Sequence, residues 1–210
     1  MSTRILLVRH GATTLSAEDR FAGSMDVELS DEGRAQAAAL GKRLASSSII
    51  AAYCSGMKRA VATANIVGQP HGLLPVQLDA LREIDHGHWE GRVHKEVERD
   101  FAVEYKLWDA DPLLVAPPGG ETGLAVLARA LPALRQIVMD HSFPPGQTVL
   151  IASHKATNRL LLTALLGIDP RFYRERLTQG LTCLNVIDFK TPDFGQVVVM
   201  NDTSHLSPVP

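Results

Sequence analysis

Ile5-Leu6-Leu7-Val8-Arg9-His10-Gly11-Ala12-Thr13 decides the fold: a short apolar run stops abruptly at an arginine, a histidine and a glycine. A run without polar alternation suits a strand buried on both faces, which then delivers polar groups at its C-terminal edge. The arrangement recurs twice. Ile49 to Tyr53 leads into Cys54-Ser55-Gly56 and a helix predicted from Met57 to Val67. Thr148 to Ala152 leads into Ser153-His154 and a helix predicted from Lys155 to Leu166. After the first strand, Ser30-Asp31-Glu32 supplies a helix start ahead of Ala35, Ala37 to Leu40 and Leu44, with Gly41 weakening that helix only slightly.

The remaining segments fill in around this pattern. Val76 to Leu78 reads as a weak strand, and the polar stretch Arg82 to Arg92 as a loop with helical pieces. A helix is predicted from His94 to Trp108, ending before Asp111-Pro112, and Pro117-Pro118-Gly119-Gly120 marks a break. Thr122 to Asp140 is helical, and Pro132 inside it predicts a kink or a split. Cys183 to Phe189 and Gln196 to Met200, separated by Pro192 and Gly195, predict a final hairpin. Strands alternating with helices give the α/β class: a three-layer α/β/α sandwich with a mostly parallel central sheet and a C-terminal β-hairpin. One domain over residues 1–210 is expected, since a chain of this length can build one large core.

Bulk composition excludes several classes. An apolar fraction of 45% and a charged fraction of 21% are ordinary for a globular protein. A net charge of −2 lacks the basic surplus that nucleic acid or an anionic membrane demands, so any anion site must be local. Cys54 and Cys183 are too few for a disulfide framework and lack zinc-site spacing, which fits a reducing compartment. No basic leader opens the sequence, and no apolar run approaches the ~18 residues of a membrane span, so a cytoplasmic protein is expected.

In open sheets of this kind, ligands lie at the carboxyl ends of the strands. The ends at Arg9-His10, Ser55 to Arg59 and Ser153-His154 therefore face one crevice, and they bring Arg9, His10, Arg59 and His154 together. Such a cationic cluster in a slightly acidic chain calls for a dianion. Arginine offers a planar fork to phosphate oxygens, and helix N-termini add backbone N–H groups. A free imidazole can be a nucleophile near neutral pH, whereas guanidinium cannot. The residues alone thus point to a phosphoryl guest and an attacking histidine.

Leu7-Val8-Arg9-His10-Gly11-Ala12-Thr13 also resembles the signature of the histidine phosphatase superfamily, which includes the cofactor-dependent phosphoglycerate mutases. The resemblance continues in order through Gly23, Leu29 to Gly33, Gln36-Ala37, Ser55, Arg59-Ala60 and Thr63-Ala64. It resumes at Leu81-Arg82-Glu83, Gly87, Trp89-Glu90-Gly91, Pro118 to Thr122 and Ser153-His154. The resemblance implies that His10 becomes phosphohistidine while Arg9, Arg59 and His154 hold the phosphoryl oxygens. It implies Glu83 as proton donor, a role that calls for a partly desolvated carboxyl. It implies a small-molecule phosphate ester as substrate, with neither metal nor other cofactor.

Departures and alternatives bear on that reading. Ser16 stands where the common signature has asparagine, and Lys155 where glycine often follows the second histidine; both, with Gly23, are candidate phosphate contacts. Val93 to Asp111 contains no Arg-Arg pair like the one with which the mutases grip a carboxylate, which favours hydrolysis over transfer. A phosphoglycerate mutase or a catalytically inert phospho-ligand-binding protein are the alternatives. Asp85, Glu90 and Glu96 are alternative acids to Glu83, and Asp85, His86 and His88 have a spacing that zinc could use. The C-terminal hairpin could offer an edge strand for a homodimer.

Overall fold

The computed structural model describes residues 3–16 and 20–206. Its strands are β1 (Thr3–Arg9), β2 (Ile49–Cys54), β3 (Val76–Gln77), β4 (Thr148–Ser153), β5 (Leu184–Thr191) and β6 (Phe194–Asp202). Its helices are α1 (Asp31–Leu44), α2 (Lys58–Gly68), α3 (His94–Asp100), α4 (Ala102–Ala110), α5 (Gly123–Asp140), α6 (Lys155–Leu166) and α7 (Tyr173–Arg176). The strands form one sheet in the order β3-β2-β4-β1-β5-β6. The first four are mutually parallel, whereas β5 runs antiparallel to β1 and β6 antiparallel to β5.

The unbroken apolar run of β1 has a physical cause. Ile5 and Leu7 pack with Leu134, Ile137, Leu161 and Leu162 of α5 and α6, while Leu6 and Val8 pack with Leu40, Leu44 and Val67 of α1 and α2. Successive side chains enter opposite layers, so the strand has no solvent face on which to place polar residues. Helix α1 begins where the Ser30 hydroxyl accepts the Gly33 N–H at 3.1 Å. Gly41 serves packing as well as helix geometry: a Cβ there would lie 3.2 Å from the Ile66 carbonyl oxygen of α2. The two helices can therefore approach at backbone distance.

Register brings the strand ends level. Arg9 pairs with Ser153 and Cys54 with Ala152, so the segments that leave β1, β2 and β4 emerge side by side. The His10 N–H donates to the Ser153 carbonyl at 3.0 Å, extending this alignment one residue past β1.

Two predicted helices differ from the structure. The helix expected over His94 to Trp108 is divided at Phe101 (φ −126°, ψ 41°) into α3 and α4. The bend lets Val97 of α3, Trp108 of α4 and Phe101 itself join one aromatic cluster with Phe21 and Trp89, a gain that helical propensity does not register. Of the kink or split expected at Pro132, the split does not occur, since α5 runs through that position. Pro132 lies on the exposed face, where water can satisfy the carbonyl that its ring deprives of a donor.

Candidate active site

The turn after β1 is held from four directions. The Gly11 N–H donates to Thr63 Oγ1 at 3.2 Å, and the Ala12 N–H to Gln36 Oε1 at 2.9 Å. The Ser30 N–H donates to the Ala12 carbonyl at 3.0 Å, and Gly33 lies against that carbonyl so closely that any Cβ would collide with it. Motif residues distant in sequence thus act as the cradle of His10.

His10 is 6% exposed, and its Nδ1 lies 2.8 Å from the Gly11 carbonyl oxygen. A carbonyl only accepts, so Nδ1 carries the proton and Nε2 keeps its lone pair. Arg59 Nε donates to that lone pair at 3.2 Å, consistent with this tautomer. Burial, then the charges of Arg59 and Arg9, holds the His10 pKa well below its ordinary value of 6.5, against a smaller opposing effect of the Gly11 hydrogen bond. A neutral imidazole whose Nε2 carries a lone pair is the form that can attack phosphorus.

Arg59 is 1% exposed and immobilised by carbonyls: Nη1 donates to Met25 at 2.6 Å and Nη2 to Gly23 at 2.8 Å. Arg9 donates from Nη1 to the Gln179 carbonyl at 2.7 Å, while its Nε is buried without a hydrogen-bond partner among the described residues. His154 caps α6 and is fully buried, its ring centroid 5.1 Å from that of His10. His154 Nε2 lies 2.6 Å from Ser55 Oγ, and its Nδ1 has no hydrogen-bond partner among the described residues. Burial, followed by Arg59, His10 and Arg9, also keeps the His154 pKa well below 6.5.

Glu83 is 8% exposed, and four donors orient its carboxyl group. Oε1 accepts from the N–H groups of Ile84 (3.0 Å) and Thr157 (3.1 Å) and from the Thr157 hydroxyl (3.2 Å); Oε2 accepts from the Ala156 N–H at 3.1 Å. Three of these donors, the Ala156 and Thr157 N–H groups and the Thr157 hydroxyl, belong to the first turn of α6, the helix that His154 caps. Acid and second histidine are therefore referred to one rigid element.

Of the expected site residues, Arg9, His10, Ser16, Gly23, Arg59, Glu83 and Lys155 line a cavity of about 480 Å³; His154 lies buried beside His10 and off its wall. Gly23 contributes the carbonyl that holds Arg59. The Ser16 hydroxyl is engaged within its own turn, accepting the Thr13 N–H at 2.9 Å. The alternative acids are employed elsewhere: Glu90 Oε2 accepts from the Ser24 hydroxyl at 2.9 Å, Asp85 Oδ1 accepts from the Gly87 N–H at 2.7 Å, and Glu96 accepts from the Val93 N–H at 3.3 Å. His86 lines the cavity, its pKa lowered to about 4 chiefly by burial. No group of three or more His, Cys, Asp or Glu among the described residues is placed to hold a metal ion. Burial pushes Cys54 up to about 12 and Cys183 up to about 11, so neither thiol competes as a nucleophile near neutral pH.

Several wall residues escaped the sequence reading. Arg20, Arg159, Tyr173 and Arg174 join the cavity, and Arg129 supports it by donating to the Arg82 and Glu83 carbonyls at 2.8 and 3.1 Å. Only Arg159 had a readable signal, since it stands one helical turn after Lys155. The others come from elements whose approach to the strand ends depends on tertiary packing.

An α/β sheet whose parallel strand ends enclose a neutral histidine and fixed arginines offers an imidazole and fixed positive charge to an anion. Residues 5–203 match the histidine phosphatase superfamily, branch 1, and the chain belongs to that superfamily. Phosphoserine phosphatase 1 of Hydrogenobacter thermophilus is 31% identical over 166 residues, covering 79% of this chain and 77% of that protein. Glucosyl-3-phosphoglycerate phosphatase of Mycobacterium tuberculosis is 32% identical over 171 residues, covering 79% of this chain and 76% of that one. The solved structure of Bacillus stearothermophilus YhfR superimposes with a TM-score of 0.90 at 33% identity, covering 98% of this chain and 100% of that chain. The α/β class and the C-terminal antiparallel hairpin agree with this likeness.

Proposed function

We propose that this protein is a phosphomonoesterase that hydrolyses a small phosphorylated metabolite, a phosphosugar or phosphorylated organic acid, through a phosphohistidine on His10. The observation that carries the reading is the state of His10: Nδ1 is committed to the Gly11 carbonyl, and burial with two arginines keeps the ring neutral. The names of the relatives, which specify phosphoserine and glucosyl-3-phosphoglycerate, support a small phosphate ester. Among the described residues, no helix is long and apolar enough to cross a membrane.

In the proposed cycle, His10 Nε2 attacks phosphorus in line with the ester oxygen, forming the P–N bond as the P–O bond breaks. Glu83 gives its proton to the departing alkoxide. Arg9, Arg59 and His154 stabilise the charge on the transferring phosphoryl oxygens, with donors already in place before the reaction. Glu83, now a carboxylate, takes a proton from water as its oxygen attacks phosphorus; the P–N bond breaks, releasing inorganic phosphate and neutral His10. Charge stabilisation comes from side chains, so the cycle uses no metal or organic cofactor.

The test is rapid quenching of chelator-treated enzyme with a phosphorus-labelled ester. An acid-labile protein label is expected in wild type and is absent in His10→Ala. Absence of hydrolysis across phosphosugars, phosphoglycerates, phosphoserine and an aryl phosphate would refute the proposal.

A further inference from the structure

We infer, building on the phosphatase reading, that Arg159 forms a second anion site in the cavity, so that the substrate's leaving group carries a negative charge of its own. The wall holds several arginines, and most are already committed to the protein. Arg59 and Arg9 grip backbone carbonyls around His10, and Arg174 pairs with Asp109 at 3.0 Å while lying over the Trp108 ring at 4.0 Å. Arg159 is different. It lines the same cavity and is half-buried, yet it makes no hydrogen bond or ion pair with any described residue, and its Nε is buried without a partner.

Partial removal of a guanidinium from water without a counterion is unfavourable, and an incoming anion offsets that cost. Burial lowers the Arg159 pKa, helped slightly by Arg174 and opposed by Tyr173, Glu83 and Glu175, but guanidinium remains charged in any working pH range. Glu175 also borders the cavity and attracts Arg159 at a distance without pairing with it. Tyr173, whose phenol is pushed up to about 12 mainly by burial, stays neutral beside it.

The position suits a substrate's second charge. Arg159 lies five residues along α6 from His154, a rise of about 7.5 Å at ~1.5 Å per residue, so it is set apart from the phosphoryl pocket by a span that a short carbon skeleton and a long side chain can bridge. Its planar fork accepts a carboxylate or a second phosphoryl group equally well. Lys155, one turn earlier and also on the wall, adds positive potential at the mouth.

The experiment compares esters that differ by one anionic group: O-phosphoserine with O-phosphoethanolamine, 3-phosphoglycerate with glycerol 3-phosphate, and fructose 1,6-bisphosphate with fructose 6-phosphate. Wild type is expected to favour the more anionic member of at least one pair by about tenfold or more in kcat/KM, as one charge-assisted contact allows. The first two pairs report a carboxylate and the third a phosphate. Arg159→Met is expected to lose that ratio mainly through KM, and Arg159→Lys to recover part of it. p-Nitrophenyl phosphate reports whether each variant remains a competent catalyst. The inference is overturned if wild type shows no preference in any pair, a result that needs no variant. It is also overturned if Arg159→Met slows both members and the aryl ester by one common factor. If wild type hydrolyses the aryl ester, either result leaves the phosphatase reading standing.

Discussion

Acidification from about pH 7.5 to about pH 5 should erode stability through histidines that the fold keeps neutral, at a cost of up to about 2 kcal/mol for each. His10 and His154 have pKa values held well below 6.5, and His86 is lowered to about 4. Below 6.5 the unfolded chain binds protons at these positions while the folded chain does not, so stability falls as pH falls. The window opens near 6.5 and, for His86, closes near 4. Each such residue contributes at most about 1.4 kcal/mol per pH unit. Over roughly 1.5 units, three histidines together cost at most on the order of 6 kcal/mol, a large part of the ~5–15 kcal/mol that stabilises a typical domain. Paired carboxylates such as Asp188, held below its ordinary 3.8 by Arg4, lose their contribution only at lower pH, so the two effects separate. Urea denaturation of the ligand-free protein at both pH values measures the change. In His154→Gln the loss between them should shrink, by up to about 2 kcal/mol. An unchanged pH dependence in that variant would refute the claim that burial and the neighbouring arginines keep this ring neutral.

Two further substitutions test the proposed chemistry and the cradle. Glu83→Gln should lower kcat for alkyl phosphates by about 100-fold or more, but far less for p-nitrophenyl phosphate, whose leaving group needs little protonation; equal losses on both would remove the proton-donor role. Gly33→Ala forces a methyl group against the Ala12 carbonyl, so thermal unfolding should show a loss of about 1–3 kcal/mol together with reduced kcat; an unaltered melting curve would mean the turn is not held as described.

Much of the site was legible because its residues follow strand ends. Arg9-His10, Ser55 to Arg59 and Ser153-His154 each follow an apolar run, and parallel register brings such ends to one edge of the sheet. Glu83 was legible only through family resemblance, since nothing local separates it from Asp85, Glu90 and Glu96. The structure distinguishes them by partner: Glu83 meets the first turn of α6, whereas Glu90 clamps Ser24. The break at Phe101 was illegible for a related reason. Local periodicity favours one helix, and only the position of Trp89, which approaches from another segment, rewards turning Phe101 and Trp108 inward together.

The sequence by itself determined the strand-and-helix order, the double-faced burial of β1 and the identity of the histidines and arginines, because these depend on short-range pattern and side-chain chemistry. Tertiary structure alone decided the His10 tautomer, through the Gly11 carbonyl at 2.8 Å, and its neutral state, through burial beside Arg59 and Arg9. It also decided that Arg159 stands on the cavity wall without an ion-pair partner among the described residues, while Arg174 is bound to Asp109. Tautomer, charge state and pairing depend on distances between groups remote in the chain, and a sequence lists those groups without their separations.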